Sequence, residues 1–151
     1  MRQTNRPPPN EAALPEALAE VRAVYAEVER RPVDRSCTRR SECCHFRLTG
    51  RTPQLTRGEA LALGRGLRAS GRTRVPESRD GACPVLGADG RCLAYDHRPF
   101  GCRTHFCSAA GGPYARRDVL DLIRRLETVD ERLGGDGPKP LPQALREAMG
   151  R

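Results

Sequence analysis

A chain of 151 residues suffices for one domain with a modest core and leaves no room for a cofactor domain beside a separate substrate domain. Hydrophobic residues make up 37% and aromatics 4%, with no Trp, against 15 Gly and 13 Pro, so the chain is rich in turns and its apolar core is thin. A net charge of +8 would ordinarily suggest nucleic acid, yet all but one of the basic residues, Lys139, are arginines spread along the chain without interleaved aromatics for base stacking, which leaves nucleic acid the lesser expectation.

Residues 1–14, with the run RPPPN, lack apolar periodicity and read as a disordered or extended lead-in. From Pro15 the pattern turns helical: Leu18, Val21, Tyr25 and Val28 recur on one face and Arg31-Pro32 closes the run, which predicts a helix over 15–30. Thr56 followed by Glu59 is a capping box, and Ala60, Leu61, Leu63 and Leu67 continue an apolar face, predicting a second helix over 57–69. Between VL and RCLAY, the run Ala88-Asp89-Gly90 reads as a tight turn joining two short strands, a hairpin near 85–95. Val119, Leu122, Ile123, Leu126, Val129 and Leu133 form one stripe that ends at Gly134-Gly135, so a third helix is expected over 114–133, packed in the core. Past GGDGPKP, residues 134–151 read as a C-terminal tail, with a last helical turn or a frayed end from Gln143 to Met149. The expected fold is therefore mainly α: a small, irregular, cysteine-rich domain over 15–133, with about three helices around a loop-rich centre and one short hairpin.

That centre holds every cysteine. Cys37, Cys43 and Cys44 precede the second helix, and Cys83, Cys92, Cys102 and Cys107 follow it. The start, MRQTNRPPPNEAALPEALAEV, lacks the unbroken apolar run of a secretory signal, and no run of about 18 apolar residues occurs that could cross a membrane. The expectation is a cytoplasmic protein with no membrane association. In a reducing compartment thiols stay reduced unless a metal takes them, and seven is an odd number for a closed disulfide framework. Small domains with thin cores also lean on metals for stability. Metal ligation is thus the leading reading, ahead of inert buried thiols and redox cysteines, with all seven cysteines as candidate ligands.

The residues around these cysteines resemble a known family. The segments CTRRSECC, GACPVL, the turn with its following Cys92, YDHRPFGCR and the last Cys107 are similar to the pattern CxxCxxCC, CPxL, C, YxxRPxxCR, C of the YkgJ-type cysteine-cluster family, over about residues 35–108. The resemblance implies a bacterial zinc- or iron-chelating domain, with a related cysteine pattern in flagellin lysine methylases that are described as carrying an iron–sulfur cluster. It implies metal binding without supplying a reaction. One position departs: Arg40 stands where the pattern has its second cysteine. Either that position is not an essential ligand, or one of two sites has been lost, or His45 or His105 substitutes. Arg40 has no lone pair to offer a metal, so it is expected outside the ligand shell, with its head group in water beside Arg35 and Arg39.

Ligand number does not separate a [4Fe-4S] cluster from zinc, since both take four. The chain has no C-x2-C knuckle, and Arg98 and Arg103 lie close in sequence to Cys102 where they could offset an anionic cluster, so iron–sulfur is placed before zinc; the bland reading of Arg98 is an ion pair with Asp96. The function expected is an accessory or electron-transfer module with a protein partner; the alternative is a structural zinc protein that binds nucleic acid or a protein, using Arg116, Arg117, Arg124, Arg125 and Arg132 of the third helix. No Ser-His-Asp set, P-loop or paired carboxylates emerge, and Leu63-Gly64-Arg65-Gly66 lies inside a predicted helix, so an enzyme is the less favoured class and no catalytic residue is assigned.

Overall fold

The computed structural model describes residues 13–31, 52–77, 81–104 and 115–150. Among them the chain is mainly helical, and no helix is long and apolar enough to cross a membrane. Helix α1, Leu14–Arg30, starts with Pro15 in its first turn, where the missing N–H costs nothing, and buries Ala17, Leu18, Val21, Val24, Tyr25 and Val28. Helix α2, Arg57–Ala69, begins at the predicted box: the Thr56 N–H and hydroxyl both donate to Glu59 Oε2 at 3.0 Å. Its end is set by Gly71, whose φ of +92° an L side chain rarely adopts. Helix α3, Phe100–Thr104, is a single turn that follows a short 3₁₀ segment at Tyr95–His97, and α4 spans Arg116–Arg132.

Helices α1 and α4 pack face to face around Val21, Val24, Val28, Leu122, Leu126 and Val129, with Phe100 of α3 in the same cluster. Arg31, just beyond α1, clamps the pair by donating to both carboxylate oxygens of Asp121, at 3.0 and 2.5 Å, and to the Asp118 carbonyl at 2.8 Å. Helix α2 contributes to two clusters. Leu63 and Leu67 enter a second one with Leu55, Val85 and Ala94, while Gly58 faces α1 and α4. A Cβ at Gly58 would lie 2.7 Å from Val129 Cγ1 and 3.0 Å from Val21 Cγ2, both on buried, stiff β-branched side chains. Gly58→Ala is therefore expected to lower stability by about 1–3 kcal/mol despite alanine's better helix propensity, a fall of several degrees in thermal midpoint; an unchanged midpoint would show that the α1–α2–α4 contact is looser than described.

The second cluster is completed by residues expected to be a tail. Lys139–Pro140 forms strand β2, antiparallel to β1 at Gln54–Leu55, with Gln54 opposite Pro140 and Leu55 opposite Lys139. The Leu141 N–H donates to the Pro53 carbonyl at 2.9 Å and opens helix α5, Leu141–Met149. Leu141 and Leu145 are wholly buried, with Ala144 and Met149 beside them, and the Arg68 guanidinium reaches the Met149 carbonyl at 2.9 Å. Of the two readings of the end of the chain, a last helical turn over 143–149 or a frayed tail, the helical one holds and is longer than expected, because α5 starts at Leu141 and closes the core over α2. The expected hairpin is present in reduced form. Leu86 and Cys92 make a single antiparallel bridge, with Gly87 N–H to Arg91 O at 2.7 Å and Leu93 N–H to Val85 O at 2.8 Å, turned at Gly90 with φ +80°. Pro84 lacks a donor and Gly87 adds no side chain, so pairing does not extend into two full strands.

Candidate metal centre

Three of the seven candidate thiols fall in the described segment 81–104. Cys83 is buried among Leu55, Leu63, Leu67 and Leu145, and Cys92 is half-buried against the same cluster on the return arm of the hairpin. Cys102 is half-buried in α3, its N–H bonded to the Pro99 carbonyl at 3.0 Å. Cys83 lies in irregular backbone, Cys92 in the single hairpin bridge and Cys102 in a single helical turn, short elements of the kind that can bend sulfur toward a soft metal ion. Cys37, Cys43, Cys44 and Cys107 lie outside the described residues, as do His45, His105 and Arg40. Among the described residues, no group of three or more His, Cys, Asp or Glu side chains stands in an arrangement that could hold a metal ion.

Among the described residues, the turn that carries Cys102 is held by a defined set of contacts. Arg103, its side chain almost wholly buried, lies with its guanidinium carbon 4.2 Å from the centre of the Tyr25 ring. It donates to the Arg98 carbonyl at 2.7 Å, to the Asp96 carbonyl at 2.8 Å and to Glu29 Oε1. Arg98 in turn donates to the Tyr95 carbonyl at 3.0 Å and stacks on the Tyr95 ring at 3.9 Å. The two arginines offered by the sequence as counter-charges thus fold the YDHRPFGCR loop onto itself by donating to its own backbone carbonyls. Burial pulls the Arg103 guanidinium down from its ordinary range, and the Glu29 carboxylate opposes that shift. The loop is fixed by these bonds from both guanidinium groups to the backbone carbonyls of 95–98.

From the other side the turn is held by Glu59, which is 2% exposed. Its Oε2 accepts from Thr56, while its Oε1 accepts the Phe100 N–H at 2.7 Å and the Tyr25 hydroxyl at 3.3 Å. One carboxylate therefore joins α1, the start of α2 and the start of α3. Burial raises its carboxyl above the usual range, and its four donors only partly reverse the shift. Tyr25 is held well above the usual phenol range, by burial first and by the Glu59 charge second. Sequence reasoning found the Thr56–Glu59 half of this arrangement and missed the rest, because Tyr25 and Phe100 are 34 and 41 positions from Glu59.

Two further features bear on alternative uses. The basic face expected of the third helix is partly neutralised: Arg125 pairs with Glu20 at 2.6 Å, Arg132 with Glu16 at 3.5 Å and Arg117 with Asp118 at 3.9 Å. A cleft of about 180 Å3 opens where Asp130, itself buried, accepts the Arg57 N–H at 2.7 Å and the Gly137 N–H at 2.9 Å; Arg57, Lys139 and Glu147 line it and none of the described cysteines does. No family model, curated protein or solved structure matches the chain.

Proposed function

We propose that the protein is a metal-binding cysteine-cluster module that holds an iron–sulfur cluster and acts as an accessory or electron-transfer partner of another protein. The observation that carries this reading is the cysteine sequence itself: seven thiols, all between 37 and 107, set in the GACPVL and YDHRPFGCR segments that resemble the YkgJ-type family. The ligands would come from Cys37, Cys43, Cys44, Cys83, Cys92, Cys102 and Cys107. The donor chemistry fits, since thiolates on bending loops are what [4Fe-4S] clusters and structural zinc both take. When bound, a cluster would supply one-electron redox chemistry, and this chain's residues would supply thiolates and a fixed loop. Arg98 and Arg103 support the site by ordering the loop that carries Cys102.

Single Cys→Ser variants test the assignment, because a serine hydroxyl is a poor ligand for either metal. Cys102→Ser and Cys92→Ser are each expected to lower the metal bound per chain severalfold, whereas a substitution such as Arg117→Ala should leave it unchanged. Undiminished metal in every single cysteine variant would sink the proposed ligand set. The nucleic-acid alternative makes a different forecast, a complex with generic RNA that weakens steeply with salt; the ion pairs along α4 favour the protein-partner reading over it.

A further inference from the structure

We infer that Glu59 is a positioning residue for Cys102, setting where that thiol stands in the proposed site. The inference rests on the reading of Cys102 as a ligand. Its geometry does not: Cys102 lies two residues past Phe100, whose N–H is held at 2.7 Å by the buried Glu59 Oε1 and which is buried in the same cluster as residues of α1 and α4. Phe100 opens a helix of five residues, and the first N–H groups of any helix have no partner within it. Without the Glu59 oxygen this donor would be buried and unsatisfied, and the turn would lose the bond that fixes its start. Within α3 the chain from Phe100 to Cys102 is too short to absorb a shift, being tied by Cys102 N–H to Pro99 O, Arg103 N–H to Pro99 O and the Thr104 hydroxyl to Phe100 O. Cys83 and Cys92 depend on other contacts, the hairpin bridge and the Leu55–Leu145 cluster. Among the three described thiols, Cys102 is the one whose turn opens with an N–H donated to Glu59.

The two oxygens of Glu59 divide the work, which makes the inference separable from a general loss of stability. Oε2 serves the cap of α2 through Thr56, three residues away; Oε1 serves the Cys102 turn. An aspartate at this position keeps the charge and the local cap and is one methylene too short to reach Phe100. Thr56→Ala weakens the cap and leaves Oε1 in place.

The experiment is timed alkylation of the metal-free, reduced, full-length chain with iodoacetamide, read cysteine by cysteine by peptide mass mapping. Glu59→Asp is expected to raise the rate at Cys102 about tenfold relative to Cys83, the effect of losing one buried hydrogen bond on a local opening equilibrium, and Thr56→Ala to leave that ratio within about twofold. A ratio unchanged in Glu59→Asp, or moved equally by Thr56→Ala, would overturn the inference. Amide hydrogen exchange on the unaltered chain decides the matter if Glu59→Asp fails to fold: a Phe100 N–H protected to the level of the α1 core amides supports the tie, and one that exchanges as an exposed amide refutes it. Neither readout uses metal, so a chain found to bind none would remove the ligand reading while leaving the positioning result to stand or fall by itself.

Discussion

Deletion of residues 141–151 is expected to abolish cooperative folding at 25 °C. Leu141 and Leu145 are fully buried, Met149 and Ala144 nearly so, and their removal would expose the facing surfaces of Leu55, Leu63 and Leu67. At about 1.5–3 kcal/mol for each large side chain returned to water, the loss is on the order of 5–10 kcal/mol, comparable with the whole stability of a small domain. The β1–β2 pairing loses its continuation through the Leu141–Pro53 bond, and Arg68 loses the Met149 carbonyl. Urea denaturation followed by circular dichroism provides the check: a broad, shallow transition is expected, and a sharp transition at an unchanged midpoint would mean that α5 is dispensable. Leu145→Ala, a smaller lesion, should cost about 2–5 kcal/mol in the same assay.

Glu59→Ala is expected to cost about 3–5 kcal/mol, because it strands two backbone donors and the Tyr25 hydroxyl in the interior at once. The charge of this residue also gives stability a particular pH dependence. Burial raises the carboxyl in the folded chain, so the folded state keeps its proton at pH values where the unfolded chain has released it. The Glu59 contribution therefore falls as pH rises through the window from the usual carboxylate value, about 4.3, to the raised one, with a limiting slope of about 1.4 kcal/mol per pH unit. Glu27 and Asp121, lowered by Arg30 and Arg31 respectively, act in the opposite sense and lose their contribution as pH falls. Comparing the unaltered chain with Glu59→Gln cancels those terms. The difference in unfolding free energy between the two should shrink with rising pH over that window; a difference that grows would mean that the four donors outweigh burial.

Much of the helical framework was legible because long amphipathic runs carry their own period. Helix α2 begins and ends where its capping box and apolar stripe place it, and α1 and α4 differ from expectation by one or two residues at their ends. Helix α5 was legible only as a last helical turn or a frayed end over 143–149, for a local reason: it is nine residues long, starts inside the turn-rich run GGDGPKPLP, and shows its face only through Leu141, Ala144, Leu145 and Met149. Pro142 sits in the first helical turn, where its missing N–H costs nothing. The β1–β2 ladder has two residues a side and no periodicity to announce it. In the candidate site, the cysteines and their spacing were plain, but the acceptors of Arg103 are mostly backbone carbonyls and the second oxygen of Glu59 meets partners from distant helices, neither of which leaves a pattern in the sequence. The arginines beside Cys102 looked like counter-charges for a cluster; in the fold their first role is to hold the loop together.

The most direct test of the metal reading is anaerobic purification of the full-length chain, followed by its absorption spectrum and by iron, sulfide and zinc analysis. The proposal predicts a brown protein with broad visible absorption and about four iron and four sulfide per chain. A colourless chain with bound zinc would contradict the iron–sulfur assignment, and a chain that folds cooperatively while holding neither metal would contradict the central claim that these cysteines form a metal centre.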